Sequence, residues 1–175
     1  MRASEILLDG FERVRGDVQA VLDGVTDSEL NFRADARANT ATWLVWHLTR
    51  VQDDHVAAAA GTEQVWTRDG WAKRFGLELD DSDTGYGHDA RQVALVRSTA
   101  GELAGYFEAV HAETVRYVEG LGDDDLDRIV DRRWNPPVTL GVRLVSVISD
   151  DLQHVGQAAF LKGIAKRAEA AQKKR

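Results

Sequence analysis

Apolar side chains recur at every third or fourth position along most of the chain, which is the spacing of one face of an α-helix. The helices that this spacing predicts cover residues 4–22, 26–30, 40–60, 62–75, 89–119 and about 139–166. The 62–75 helix is the least regular, and Gly101 either interrupts the 89–119 helix or is tolerated within it. The long helices among these are of the length that packs side by side in a bundle.

The segments between the helices carry turn-forming residues. Residues 76–88 are acidic and rich in glycine, which predicts a loop, and residues 123–130 predict a short acidic helix or turn. Residues 134–137 contain both prolines of the chain and predict an extended connection. No window alternates apolar and polar positions with turn signals at both ends, so no strand is predicted. We therefore expect an all-α four-helix bundle with short extra helices and an acidic, glycine-rich loop.

Length and charge narrow the classes of function. The 175 residues fit a single domain, with about 167–175 as a fraying tail. The formal net charge of −7 disfavours nucleic-acid binding, because an acidic surface repels phosphates. Acidic residues interrupt the N-terminal segment, and no apolar run approaches the roughly 18 residues of a membrane span. We expect a cytoplasmic protein with neither a nucleic-acid nor a membrane partner, while a monomer and a homodimer both stay open.

Candidate metal ligands stand on two of the long predicted helices. The chain has no cysteine, so a metal would have to be held by histidine, aspartate or glutamate. Asp150 and His154 are four residues apart and project from one face of the last helix. His47 lies amid tryptophan and leucine on the 40–60 helix, where a polar ring needs a partner. Two nitrogens and one oxygen with an open fourth position are typical of catalytic zinc, although nickel, iron and manganese accept similar ligands.

A simpler interpretation of these residues stays open at this point. An aspartate and a histidine four residues apart often form only a surface pair, and a histidine on an apolar face is often a hydrogen-bonded core residue. Asp54, seven residues after His47, returns to nearly the same direction and is a candidate to orient an imidazole. His55 points about 80° away from His47 on an ideal helix and is expected near the pocket. His88 and His111 show no partner pattern, which favours structural roles.

Two segments resemble a known group of proteins. TWLVWHLTRVQDDH, residues 42–55, and VTLGVRLVSVISDDLQHVGQ, residues 138–157, resemble the signature helices of the DinB-like superfamily of bacterial four-helix-bundle metalloproteins. In that superfamily the first helix supplies one histidine, and the last supplies a histidine, glutamate or aspartate four positions before another histidine, followed by Gly-Gln. In this chain the metal positions and the Gln of that tail are matched by His47, Asp150, His154 and Gln157. The resemblance covers nearly the whole chain and implies a divalent metal, first of all zinc.

The resemblance extends to a subtype, the actinobacterial mycothiol S-transferases, which are related to the metal-binding domain of mycothiol-dependent maleylpyruvate isomerase. It implies an enzyme that attaches a low-molecular-weight thiol, mycothiol, to an electrophilic small molecule through a metal-stabilised thiolate. Many members carry histidine where this chain has Asp150, and a carboxylate there lowers the Lewis acidity of the metal. The absence of cysteine fits this activity, because the thiol would come from the substrate.

Further residues are candidates to contact a substrate. Arg50 and Arg143 lie near the metal residues along their helices and can bind an anion, or else face solvent or form ion pairs. Gln157 follows His154 by less than one turn and belongs to the same group of candidates. Aromatic residues that can line an apolar pocket, or form core, are Trp43, Trp46 and Trp134.

Two other functions stay open from the sequence. One is a metal-dependent hydrolase, in which a bound water is the nucleophile. The other is a non-catalytic stress-response protein whose metal is structural. A fourth protein ligand, such as Asp54 or His55, would favour the structural role, whereas an open coordination position reached by a pocket would favour an enzyme.

Overall fold

Long helices form the frame of the computed structural model, which describes residues 2–173. The helices are α1 (Ala3–Leu22), α2 (Asp27–Leu30), α3 (Ala41–Ala60), α4 (Val65–Arg68), α5 (Trp71–Phe75), α6 (Ala90–Leu95), α7 (Ala100–Glu119) and α8 (Leu140–Gln172). A 3-10 helix (Asp123–Asp127) and two short strands, β1 (Ile129–Asp131) and β2 (Val138–Thr139), connect α7 to α8. The predicted all-α class is therefore confirmed.

A threonine begins three of the four long helices. The side chains of Thr40, Thr99 and Thr139 each accept a hydrogen bond from the backbone N–H three residues later. Such a cap satisfies one of the N–H groups that the first turn of a helix leaves without a partner. The starts of α3, α7 and α8 are therefore encoded locally, and the sequence pattern locates those of α3 and α8.

The four long helices pack as a bundle in which α1 and α3 occupy opposite corners, because each contacts both α7 and α8. One part of the core contains Trp46, Tyr106 and Phe107, and another contains Phe11 and Leu144. Helix α3 is buried on nearly all sides, since residues of the 76–88 loop cover the side that α7 and α8 leave open. Its polar side chains therefore lie inside the protein and need partners there.

Two predicted helices are each divided. The 89–119 helix breaks at residues 96–99 and not at Gly101, because Thr99 caps α7 and Glu102 completes the capping box. The 62–75 helix breaks before α5, where Gly70 has a φ of 74°. This left-handed conformation, which glycine adopts readily, cannot continue a helix.

The segment between the 3-10 helix and α8 differs from the prediction. β1 and β2 pair in antiparallel orientation, so the expectation of no strand is wrong here. Strands of three and two residues are too short to give a recognisable alternation of apolar and polar positions. The hairpin packs on α8 and carries Asp131 and Trp134 to the cleft described below.

The last helix is longer than expected. α8 runs to Gln172, beyond the predicted end at about 166, so the tail is helical up to that residue. The rest of the predicted fraying tail includes residues 174 and 175, which lie outside the described residues. Within residues 2–173, no helix combines the length and the apolar character needed to cross a membrane.

Candidate metal centre

The structure brings together the three side chains that the sequence singled out as metal ligands. His47 projects from the middle of α3, and Asp150 and His154 project from successive turns of α8. One potential ligand atom from each lies within 4.8 Å of the others. The two imidazole centroids are 4.7 Å apart, and Trp43 stacks on His47 at 4.5 Å. Helices α3 and α8 pack against each other, which places the three groups at one point of the bundle.

Both imidazoles are held through the same ring nitrogen. His47 Nδ1 contacts the backbone carbonyl of Thr84, and His154 Nδ1 contacts the backbone carbonyl of Asp150 at 2.8 Å. A carbonyl can only accept, so each Nδ1 carries the proton and donates it. In the neutral form of each ring, Nε2 then presents a lone pair, which is the arrangement that carbonyl partners impose on metal-binding histidines.

One oxygen of the Asp150 carboxylate has no hydrogen-bond donor among the described residues. Its Oδ2 atom is buried and accepts no hydrogen bond from residues 2–173. It lies 3.3 Å from His154 Nδ1, but the proton on that nitrogen points to the backbone carbonyl of Asp150. A buried carboxylate oxygen without a donor is costly unless a cation meets it. The residues present therefore fit a divalent metal.

Charge and burial act differently on the three groups. Burial lowers the pKa of His47, although the Thr84 carbonyl acts in the opposite direction. Contact with the Asp150 carboxylate raises the pKa of His154, and burial offsets this only in part. Burial acts to raise the pKa of Asp150, but His154 and the other nearby imidazoles outweigh it, so that the pKa is lowered. Asp150 is therefore ionised at neutral pH, and a metal would compete mainly with the proton of His154.

A cleft of about 690 Å³ opens beside His47 and Asp150. The aromatic rings of Tyr86 and Trp134, 93% and 65% exposed, contribute to its wall. Such exposure of large aromatic side chains is typical of surfaces that bind a ligand. A second cavity, of about 420 Å³, is lined mainly by residues of α3 and α7 and by none of the three candidate ligands.

Three of the predicted polar accessory residues, Asp54, His55 and Arg143, line this cleft. Arg143 donates to the Asp131 carboxylate at 3.0 Å and approaches the His55 ring at 3.2 Å. Burial and the Arg143 guanidinium lower the pKa of His55, so this imidazole is neutral. Asp54 accepts a hydrogen bond from Gln64 at 2.8 Å and does not orient His47, a role that the Thr84 carbonyl fills. Neither Asp54 nor His55 belongs to the group of converging ligands.

Other predicted accessory residues lie elsewhere. Arg50 is fully buried and donates to loop carbonyls, Gln64 and Tyr106, so it cannot bind a substrate anion from the cleft. Gln157 is exposed on α8 and is absent from the described lining of the cleft. Trp43 and Trp46 are buried in the core, whereas Trp134 lines the cleft.

Sequence reasoning missed several residues of the site. Thr84 and Tyr86 belong to a loop whose spacing carries no signal, and Asp131 belongs to a strand too short to predict. Arg133 holds the pKa of Asp131 well below its usual range through hydrogen bonds. The side chains of the two histidines without a partner pattern are both buried. His88 contacts Asp83 and Trp43, and His111 contacts Glu12 outside the cleft.

Replacing Asp150 with alanine should weaken metal binding by at least about tenfold, because one of three ligand groups is lost while the apolar core is retained. Competition titration with a chromogenic chelator measures the affinity, and circular dichroism verifies the fold. Asp54→Ala is the matched control, since it removes another carboxylate from the wall of the same cleft. Equal affinities of Asp150→Ala and the wild type would show that Asp150 is not a ligand.

Comparison with known proteins agrees with the fold. The structure superimposes on the crystal structure of a conserved protein from Enterococcus faecalis with a TM-score of 0.86 and 29% sequence identity, over 93% of this chain and 96% of that chain. The comparison with curated proteins gives no match. The sequence profile of the DinB superfamily matches residues 10–158, and the chain therefore belongs to the DinB superfamily.

Proposed function

We propose that the protein is a metal-dependent transferase that attaches a low-molecular-weight thiol, mycothiol in the first instance, to an electrophilic small molecule. The observation that carries the proposal is the convergence of His47, Asp150 and His154 beside an open cleft. Three protein ligands leave a coordination position for a substrate, which is the arrangement of catalytic rather than structural sites. The resemblance to mycothiol S-transferases supports the choice of thiol.

In this proposal His47 and His154 would hold the metal through Nε2, and Asp150 through a carboxylate oxygen. The metal, when bound, lowers the pKa of a coordinated thiol so that the nucleophilic thiolate is present at neutral pH. The thiol proton leaves to solvent, the sulfur electron pair forms a bond to the electrophilic carbon, and the leaving group departs with its own bonding pair. The carboxylate of Asp150 stabilises the positive charge of the metal and moderates its Lewis acidity.

Charged and aromatic side chains around the cleft are suited to bind the substrates. Arg143 is oriented by Asp131 and lies along the wall that contains Asp150, where its charge favours an anionic group on a substrate. Tyr86 and Trp134 offer aromatic surface to the apolar part of a substrate. Asp54 and His55, the two residues able to close the site as a fourth ligand, are held by Gln64 and Arg143. This supports an open site and an enzyme over a structural metal.

The test compares metal-free and metal-loaded protein in a thiol-conjugation assay. Elemental analysis of the purified protein identifies the metal, and a bimane or chlorinated aromatic serves as the electrophile. We expect thiol consumption to require the metal and to rise with pH until the bound thiol is ionised. Equal rates without the metal would contradict its role. Cleavage of an ester or amide with no thiol consumed would indicate the hydrolase instead.

Replacing His55 with alanine should leave metal affinity within about threefold of the wild type, because this imidazole is outside the converging group. The same titration as for Asp150→Ala measures the affinity. A loss of tenfold or more would identify His55 as a fourth ligand and would favour the structural role of the metal.

A further inference from the structure

We propose that Arg50 is a positioning residue for His47 and that it acts through the loop of residues 81–88. The buried guanidinium of Arg50 holds two carbonyls of this loop, and the loop presents the Thr84 carbonyl to Nδ1 of His47. The inference rests on the proposed function only in that His47 is taken as a metal ligand. The contacts from which it is inferred, between Arg50, the loop and His47, are all contacts within the protein and involve no metal.

The donors of Arg50 are directed at the loop from inside the protein. Arg50 lies three residues after His47 on α3 and has no exposed surface. Its Nε donates to the carbonyl of Asp83 at 3.1 Å, and one terminal nitrogen donates to the carbonyl of Asp81 at 3.2 Å. The two carbonyls belong to residues on the N-terminal side of Thr84. The planar fork of a guanidinium can hold both at once, which a lysine ammonium cannot do with the same geometry.

The buried charge of Arg50 is stabilised by more than its ion pair with Asp53. Its other terminal nitrogen donates to Gln64 at 2.7 Å and to the Tyr106 hydroxyl at 3.3 Å. The Asp53 carboxylate lies 3.7 Å away, and its oxygens already accept hydrogen bonds from two backbone N–H groups and from Tyr106. A buried cation is costly unless its donors are satisfied. In this protein the loop carbonyls are part of what satisfies it.

Gly85 allows the loop to approach His47 closely. A Cβ atom on Gly85 would lie 2.8 Å from His47 Nδ1 and 3.0 and 3.1 Å from the rings of Trp46 and Trp43. Its φ of 92° is also a conformation that glycine adopts far more readily than other residues. Any larger residue would push the loop, and with it the Thr84 carbonyl, away from the imidazole.

A second anchor holds the loop on the other side of Thr84. His88 Nε2 donates to the Asp83 carboxylate at 2.9 Å, and His88 Nδ1 accepts from the indole N–H of Trp43 at 3.1 Å. The same carboxylate accepts from the backbone N–H of Gly85 at 2.7 Å. The loop is thus attached to α3 through both Arg50 and Trp43, so the Thr84 carbonyl has little freedom to move.

These contacts determine which nitrogen of His47 carries the proton. With Nδ1–H donated to Thr84, Nε2 keeps the lone pair that a metal needs. An imidazole without such a partner favours the Nε2–H tautomer, in which the ligand nitrogen is protonated. The loop therefore fixes the metal-binding tautomer of His47 before any metal binds. Arg50 influences this tautomer through the loop, without contacting His47.

The test compares Gly85→Ala with Gly87→Ala. Both positions have positive φ, 92° and 77°, but a Cβ on Gly87 would meet no atom within 4 Å. Long-range 1H–15N NMR of the metal-free protein at about pH 8, where imidazole is neutral, reports the tautomer of His47. We expect Nδ1–H in the wild type and in Gly87→Ala, and a shift toward Nε2–H in Gly85→Ala. Metal affinity should fall about 10–100-fold in Gly85→Ala alone.

Substitution of Arg50 tests whether this residue positions His47 through the loop. We expect the fraction of Nδ1–H and the metal affinity to decrease from the wild type to Arg50→Lys and further to Arg50→Met. A smaller loss in Arg50→Lys than in Arg50→Met is expected because a lysine ammonium can still donate to one of the loop carbonyls. If Arg50→Met fails to fold, Gly85→Ala decides the question, because it removes no buried charge.

The possible results separate this inference from the proposed function. An unchanged His47 tautomer and an unchanged affinity in Gly85→Ala would overturn the positioning role, while a wild-type protein that still binds metal keeps the proposed function. A wild-type protein that binds no metal would overturn the proposed function, while the tautomer in the metal-free variants would still decide the positioning role.

Discussion

Replacing His47 with alanine is expected to weaken metal binding by at least about 100-fold and to abolish metal-dependent thiol conjugation. The loss should reach or exceed the 10–100-fold typical of an outer partner of a ligand, since a direct ligand is removed. The two remaining candidates, Asp150 and His154, both belong to α8, so nothing from α3 would hold the metal on its other side. Competition titration and the conjugation assay measure the two effects.

His111→Ala is the matched control for this prediction. It makes the same change at another buried histidine, which lies on α7 and contacts Glu12. We expect its metal affinity to equal that of the wild type, whatever it does to the temperature of unfolding. A His47→Ala protein that stays folded and binds metal like the wild type would exclude His47 as a ligand.

Replacing Asp151 with asparagine is expected to stabilise the metal-free protein at pH 8 by about 1 kcal/mol or more, the order of the cost of a buried polar group without a partner. Asp151 is fully buried, and neither carboxylate oxygen meets a donor among residues 2–173. Burial, together with the charge of Asp150, raises the pKa of Asp151 well above its ordinary value. The wild-type protein therefore holds at neutral pH either a buried charge or a proton that the unfolded chain has released.

The sign of the pH dependence follows from linkage. Above about pH 4 the unfolded chain binds fewer protons at this aspartate than the native state, so the free energy of unfolding decreases as the pH rises toward the native pKa. Asparagine does not ionise, so its advantage over the wild type should be small near pH 4 and should grow with pH. Urea unfolding of both proteins at a series of pH values measures this difference.

Asp17→Asn is the control for the Asp151 prediction, because Asp17 is exposed on α1. Substitutions of that kind usually change the free energy of unfolding by less than about 0.5 kcal/mol. A constant difference between Asp151→Asn and the wild type from pH 4 to pH 8 would show that the native state does not resist ionisation of Asp151.

Much of the fold follows from contacts between residues that are close in sequence. The apolar stripes of the long helices repeat every three to four residues, and Thr40, Thr99 and Thr139 mark the starts of three of them. The pairing of Asp150 with His154 depends only on helical geometry. The sequence pattern does not reveal the breaks before α5 and α7, because caps and a left-handed glycine end a helix without disturbing its apolar pattern.

Local spacing in the amino-acid sequence was enough to predict the all-α class and most of the long helices. The helical spacing of Asp150 and His154, together with the resemblance to the DinB-like superfamily, made His47, Asp150 and His154 the candidate ligands. The groups that surround these three residues come from distant segments of the chain and are seen only in the folded structure. Arg50, predicted near a substrate, lies in the core and holds a loop, and the Thr84 carbonyl orients His47 in place of Asp54. Those contacts join residues more than 30 positions apart, and a backbone carbonyl is present at every residue, so no local pattern can reveal them.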